Sequence, residues 1–185
     1  MAIPPKVPSK PPPKPPPKVQ SGRGKTVLVV DGDREHRARL VRLLRETTSN
    51  KPGEAGPPPA IHEADDGHAA WALIEVTKPD LIVTEILIEG LSGLQLLRRV
   101  REHFQPRVAD SSFGSKSRNP LADEKVPAVF FVTEMSNEVD RYWALRNGAA
   151  AYVIKPYDDD FLRQRVAKVL ANEGVELSAW PDDGN

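Results

Sequence analysis

Cysteine and long apolar runs are both absent from this chain of 185 residues. Without cysteine the chain can form no disulfide, no thiolate metal site and no thiol nucleophile, which fits a reducing compartment. No apolar run approaches the roughly 18 residues of a membrane-spanning helix, and the N-terminus lacks the apolar segment of a secretory signal. We therefore expect a cytoplasmic protein without a transmembrane segment.

The histidines lack the spacing of a metal site. They are scattered along the chain, so we expect each of them at the surface or in a helix cap. The four are His36, His62, His68 and His103.

Acidic residues are missing from the first 25 residues, which carry six basic side chains, while the rest of the chain carries 20 basic and 26 acidic ones. Residues 1–24 are also rich in proline, so we predict a disordered tail that samples polyproline II. It is either a spacer or a docking arm for an acidic or aromatic-grooved partner or an anionic surface. A nucleic-acid or surface tether through this tail is a separate function class.

From residue 25 onward, apolar strands alternate with amphipathic helices. In the first helix we expect Leu40, Leu43 and Leu44 inward and Arg37, Arg42 and Arg45 outward. Five β/α repeats predict an α/β domain over 25–172, with a parallel sheet covered by helices on both faces. Loop insertions are expected at about 49–59 and 104–127, and a short tail at 173–185. The predicted strands are 26–31, 61–64, 81–85, 129–133 and 151–154, and the helices 34–47, 67–77, 92–103, 137–146 and 158–170.

Polar side chains follow four of these strands. Asp31-Gly32-Asp33 follows the first, Glu85 ends the third, Thr133-Glu134 the fourth, and Lys155-Pro156 the fifth. Ligand and reaction sites of such sheets lie at the carboxyl ends of the strands. We therefore expect these side chains to converge at one edge.

These motifs occur in the order that is typical of a known family of signalling domains. Further motifs in the same order are Pro79-Asp80-Leu81-Ile82-Val83, Leu91-Ser92-Gly93, Gly148-Ala149 and Tyr152. The chain resembles the receiver domain of two-component response regulators, and is similar to the single-domain chemotaxis type. The resemblance implies the flavodoxin-like doubly wound sheet with strand order 2-1-3-4-5.

In that family two adjacent acids hold Mg²⁺, an aspartate ending strand three accepts the phosphoryl group, and a hydroxyl and a lysine contact the phosphate. The resemblance assigns Asp31 to the first acid, Thr133 to the hydroxyl and Lys155 to the cation. Gly32 replaces the second acid, and Glu85 replaces the acceptor aspartate.

These departures predict an atypical pseudo-receiver. Mg²⁺ needs near-octahedral oxygen ligation, so we expect no resident cofactor and at most a weak Mg²⁺ site at Asp31. Asp33 either adds to the acidic pocket or caps helix one. Compared with aspartate, the extra methylene of Glu85 moves the carboxylate by about 1.5 Å. A misplacement of a reacting group by about 1 Å can cost roughly 10²-fold in rate. Glu134, if it points inward, repels an incoming phosphoryl group.

We therefore expect no enzyme but a stand-alone receiver-like adaptor that acts by protein contact. Glu85 is predicted to form a salt bridge with Lys155 and to mimic the phosphorylated state; a decayed pocket kept only for folding stays open. The alternative is a functional phosphorelay regulator that accepts phosphate at Glu85 or a neighbouring acid.

The resemblance also implies an output surface formed by helix four, strand five and helix five. Thr133 and Tyr152 match the switch residues of the family. Tyr142 and Trp143 on helix four are candidate interface anchors, because aromatic residues are enriched at interface hot spots. The expected partners are a histidine kinase, a scaffold or a motility or regulatory protein, and not nucleic acid.

Overall fold

The computed structural model describes residues 24–47, 58–104 and 125–171. Strands and helices alternate throughout, and the predicted elements are confirmed to within one residue at each end. The strands are β1 (Thr26–Val30), β2 (Ala60–Ala64), β3 (Leu81–Thr84), β4 (Ala128–Thr133) and β5 (Ala151–Ile154), and the helices are α1 (Arg34–Thr47), α2 (Gly67–Thr77), α3 (Gly93–Phe104), α4 (Glu138–Arg146) and α5 (Asp159–Leu170).

All five strands form one parallel sheet in the order β2-β1-β3-β4-β5. The register places Val30 beside Thr84, and Thr133 beside Ile154. The carboxyl ends of β1, β3, β4 and β5 therefore meet at one edge, as predicted. Strand order reverses beside β1, which is where open α/β sheets place their sites.

Two apolar cores cover the two faces of the sheet. Successive side chains of a strand point to opposite faces, so Leu28 packs with α2, α3 and α4, whereas Val29 packs with α1 and α5. In α1 the three predicted inward leucines are buried. The prediction that Arg37 points outward is wrong: its side chain is largely buried and donates to the Asp31 carbonyl oxygen at 2.5 Å.

Side-chain caps set where the helices begin. Asn137 accepts from the Val139 N–H and Asp158 from the Phe161 N–H. A cap residue has non-helical backbone angles. For this reason α4 and α5 each begin one residue later than the pattern of the sequence predicts.

The predicted tails at 1–24 and 173–185 and the two predicted loop insertions fall almost entirely outside the described residues. No helix in the described ranges is long and apolar enough to cross a membrane.

Candidate functional site

Three charged side chains meet at the carboxyl edge of the sheet. The Lys155 Nζ lies 2.9 Å from Glu85 Oε2 and 3.1 Å from Asp31 Oδ2. All three are mostly buried, with side-chain exposures of 14% for Lys155, 9% for Glu85 and 4% for Asp31. The predicted salt bridge between Glu85 and Lys155 is confirmed.

Lys155 is held in its charged form by these two neighbours. Burial alone would lower the pKa of Lys155, but hydrogen bonds and charge from Glu85 and Asp31 outweigh it and raise the pKa above the ordinary lysine value. The ammonium therefore stays protonated well beyond neutral pH.

Asp31 accepts three hydrogen bonds. Its Oδ1 accepts from the Asp33 N–H at 2.8 Å, and its Oδ2 is shared by Lys155 Nζ and His36 Nδ1, which lies 2.5 Å away. Burial alone would raise the pKa of Asp31, but the bonds from His36, the Asp33 backbone and Lys155 lower it. The carboxylate is therefore ionised at neutral pH.

His36 was not expected at this site, and the prediction of a surface or capping role for it is wrong. It lies in the first turn of α1, and its Nε2 is 2.9 Å from the Tyr157 hydroxyl, just after β5. The two rings pack edge to face. The sequence signal was position: the first turn of a helix that begins three residues after Asp31 lies at the same sheet edge.

Glu85 is held at both carboxylate oxygens. Oε2 binds Lys155, while Oε1 accepts from the Ile86 N–H at 2.6 Å and faces the Leu87 N–H at 3.4 Å. Because the extra methylene lets the side chain fold back, the carboxylate lies over the backbone amides of the next two residues. Both oxygens of Glu85 are therefore satisfied within the protein.

Thr133 and Tyr152 are linked through one residue. The Met135 N–H donates to Thr133 Oγ1 at 3.2 Å, and the Tyr152 hydroxyl donates to the Met135 carbonyl oxygen at 2.9 Å. Thr133 and Tyr152 are buried. The segment after β4 is thus attached to β5 next to the site.

Asp33 and Glu134 lie outside the pocket. Asp33 is exposed and accepts from the Glu35 and His36 N–H groups at 2.7 and 3.0 Å, so the helix-cap interpretation is confirmed. These bonds also lower the pKa of Asp33. Glu134 is exposed beyond β4, so the condition for its repulsion, an inward side chain, is not met.

A comparison with protein families matches residues 27–167 to the response regulator receiver domain. The chain belongs to this family. Protein PilH of Pseudomonas aeruginosa is 28% identical over 111 residues, which cover 60% of this chain and 77% of PilH. The positive alginate biosynthesis regulatory protein of the same organism is 28% identical over 153 residues, which cover 83% of this chain but 50% of that protein.

Solved receiver domains share the fold. The signal receiver domain of the putative response regulator NarL from Mycobacterium tuberculosis superposes with a TM-score of 0.58 at 22% identity, covering 80% of this chain and 98% of that one. The Vibrio cholerae chemotaxis protein CheY4 superposes with a TM-score of 0.58 at 16% identity, covering 80% and 99%. The flavodoxin-like receiver fold is therefore established.

The residues of this receiver domain do not fit the Mg²⁺ of its family. Mg²⁺ takes oxygen ligands at about 2.0–2.1 Å in near-octahedral geometry, yet Gly32 offers no side-chain ligand. The oxygens of Asp31 and Glu85 already bind lysine, histidine or backbone donors. Within the described part of the chain no three histidine or acidic residues are grouped as a metal site.

One face of α4 carries the candidate interface residues. Val139, Tyr142, Trp143 and Arg146 recur at the spacing of one helix face, and the first three are 58%, 57% and 53% exposed. Tyr142 and Trp143 pack edge to face, and the Arg146 guanidinium lies over the Tyr142 ring. The receiver domain thus presents an ordered aromatic pair to solvent.

Proposed function

We propose that this receiver domain is a signalling adaptor in which Glu85 supplies permanently the charge that phosphorylation supplies elsewhere. The observation that carries the proposal is the 2.9 Å contact between Glu85 Oε2 and Lys155 Nζ. In the family, the lysine after strand five pairs with the phosphate. A carboxylate that already occupies this lysine acts as a built-in substitute.

Electrostatics support the same function. Asp31 and Glu85 face Lys155, so the three groups sum to one negative charge. A weakly charged pocket attracts a divalent cation less than three acids would, and phosphoryl transfer depends on that cation to neutralise developing charge. The contacts of Glu85 with Lys155 and the Ile86 N–H occupy both carboxylate oxygens, so an attack on phosphorus by either oxygen has to compete with one of them. We infer that this domain accepts phosphate poorly and has no enzymatic activity of its own.

The response to this charge runs, in our proposal, through Thr133, Met135 and Tyr152 to α4. The hydrogen bonds at Met135 attach the start of the β4–α4 segment to buried Tyr152. Tyr142 and Trp143 then form the contact surface, because large exposed aromatics give interfaces much of their binding energy. The partners are signalling proteins such as a histidine kinase, a scaffold or a motility regulator in the cytoplasm.

Phosphorylation is tested with acetyl phosphate and with beryllofluoride, each with Mg²⁺, on the full chain. Intact mass reports a phosphoryl adduct, and tryptophan fluorescence reports beryllofluoride binding. We expect no stoichiometric adduct and no saturable fluorescence change. A full adduct on Glu85 or a neighbouring acid would instead establish a functional phosphorelay receiver.

The contact surface is tested by replacing two exposed hydrophobic residues with alanine, one on α4 and one on α2. Trp143→Ala removes the aromatic anchor on α4, whereas Val76→Ala changes a side chain on α2 that is 82% exposed. Proteins that crosslink to the wild-type chain in its host are identified first. Their recovery by crosslinking to each variant is then quantified relative to the wild type. Loss with Trp143→Ala alone supports the α4 surface; equal recovery from both variants contradicts it.

A further inference from the structure

We propose that His36, anchored by Tyr157, closes the acid pocket against divalent cations by occupying the carboxylate oxygen that a metal would need. Both residues lie outside the sequence motifs that indicate the site. Both act as positioning residues, since they hold Asp31 rather than react. The inference deepens the proposed function, because it explains why the pocket works without a metal.

The number of donors on Asp31 is the first argument. A carboxylate offers about four acceptor positions on its two oxygens. Asp31 Oδ2 receives His36 Nδ1 at 2.5 Å and Lys155 Nζ at 3.1 Å, and Oδ1 receives the Asp33 N–H at 2.8 Å. Because an ionised carboxylate can only accept, His36 Nδ1 carries the hydrogen in this bond. A metal ion at Oδ2 would have to displace one of these donors.

The anchoring of the imidazole is the second argument. Its Nε2 bonds the Tyr157 hydroxyl at 2.9 Å, and its own backbone N–H bonds the Asp33 carboxylate at 3.0 Å. The Arg39 guanidinium lies 5.2 Å from the Tyr157 ring centroid and also binds Asp159 at 2.8 Å.

Since the His36 side chain is only 14% exposed, turning it away from Asp31 breaks several contacts at once. Mutating a residue that hydrogen-bonds a metal ligand typically changes the metal affinity by about 10- to 100-fold. A partner that is locked onto the ligand oxygen is expected to act in the opposite direction, against the metal.

Gly32 offers a rival explanation, because the missing second acid would weaken metal binding by itself. The two causes are separable. A Cβ at Gly32 would meet only the Asp65 carbonyl oxygen, at an ordinary 3.7 Å. The acid can therefore be restored while His36 is kept.

The experiment is a cycle of Gly32→Asp, His36→Ala and the double variant, in the full chain, with Mn²⁺ alone as the probe. Affinity is measured by the loss of the free-Mn²⁺ paramagnetic resonance signal, and circular dichroism confirms folding. We expect the double variant to bind Mn²⁺ at least about 10-fold more tightly than Gly32→Asp alone. Equal affinity of these two variants would overturn the role of His36.

Two further variants protect the result from trivial causes. Tyr157→Phe in the Gly32→Asp background keeps the ring but releases His36 Nε2, so Mn²⁺ affinity should rise part of the way. His68→Ala in the same background removes an exposed histidine on α2 and should leave affinity unchanged. The readout does not involve phosphorylation or partner binding, so a failed proposed function and a failed role of His36 give different results.

Discussion

Lys155 lies between Glu85 and Asp31, with its Nζ 2.9 Å from the first carboxylate and 3.1 Å from the second. The two acids directly follow β3 and β1, so one ammonium joins the ends of three strands. In the family this lysine pairs with a phosphate that arrives and leaves. Here its partner is a side chain that is always present.

The Glu85–Lys155 pair should show strong energetic coupling. We expect Glu85→Gln to cost about 1–3 kcal/mol of unfolding free energy, because a buried group loses a charged partner. In a cycle with Lys155→Met, the coupling energy should be about 0.5–3 kcal/mol. Urea unfolding of the four proteins at neutral pH measures it. Strictly additive losses would mean that the contact contributes nothing.

Restoring the family residues should restore phosphate acceptance. In a Gly32→Asp/Glu85→Asp variant, the acceptor carboxylate retreats by about 1.5 Å and a metal ligand returns. We expect the rate of adduct formation with acetyl phosphate to rise by about 10²-fold, and adding His36→Ala should raise it further. Intact mass over time gives the rates, with each single variant as a control. Unchanged rates would place the defect elsewhere in the pocket.

The sequence predicted the fold and the main charged contact well. Alternating apolar and amphipathic segments determine a parallel sheet, and the ends of its strands have to meet. Asp31, Glu85 and Lys155 could therefore be brought together from their positions alone. The cap at Asp33 followed from the preference of carboxylates for helix N-termini.

The contacts of His36 and Arg37 could not be predicted in the same way. Both lie in the first turn of α1, where the direction of a side chain depends on the angle at which the helix leaves the strand. Periodicity placed Arg37 outward, yet its guanidinium reaches the Asp31 carbonyl oxygen. The interaction of His36 with Tyr157 joins residues 121 positions apart in sequence, which no local pattern encodes.

The approach of α3 to β3 depends on Gly93. A Cβ there would lie 2.4 Å from the Glu85 carbonyl oxygen and 3.0 Å from the Phe131 ring. We expect Gly93→Ala to lower the unfolding free energy by about 1–3 kcal/mol, because the backbone has to shift. Gly32→Ala is the matched control, since its Cβ meets only an atom at 3.7 Å. Equal losses in thermal denaturation would contradict the packing argument.

Tyr152 should ionise late in an alkaline titration. Burial, followed by the charges of Asp140 and Glu85, raises its pKa from 10.0 to about 12, and burial raises the pKa of Tyr157 to about 12 as well. Ultraviolet absorbance of tyrosinate should therefore show a phase near pH 12 that shrinks in Tyr152→Phe and in Tyr157→Phe.

The same shift sets the sign of the pH dependence of stability. The folded state binds the phenol proton of Tyr152 more tightly than the unfolded state does, so this contribution is complete below pH 10 and is lost as pH rises toward 12. The unfolding free energy of wild type should fall more steeply over that interval than that of Tyr152→Phe.

Because the charge of Glu85 contributes to the raised pKa of Tyr152, Glu85→Gln should move the Tyr152 phase of the absorbance titration to lower pH. A Tyr152 phase that does not respond to Glu85→Gln would show that the charge at position 85 is not felt at the switch residue, and would argue against Glu85 as its permanent signal.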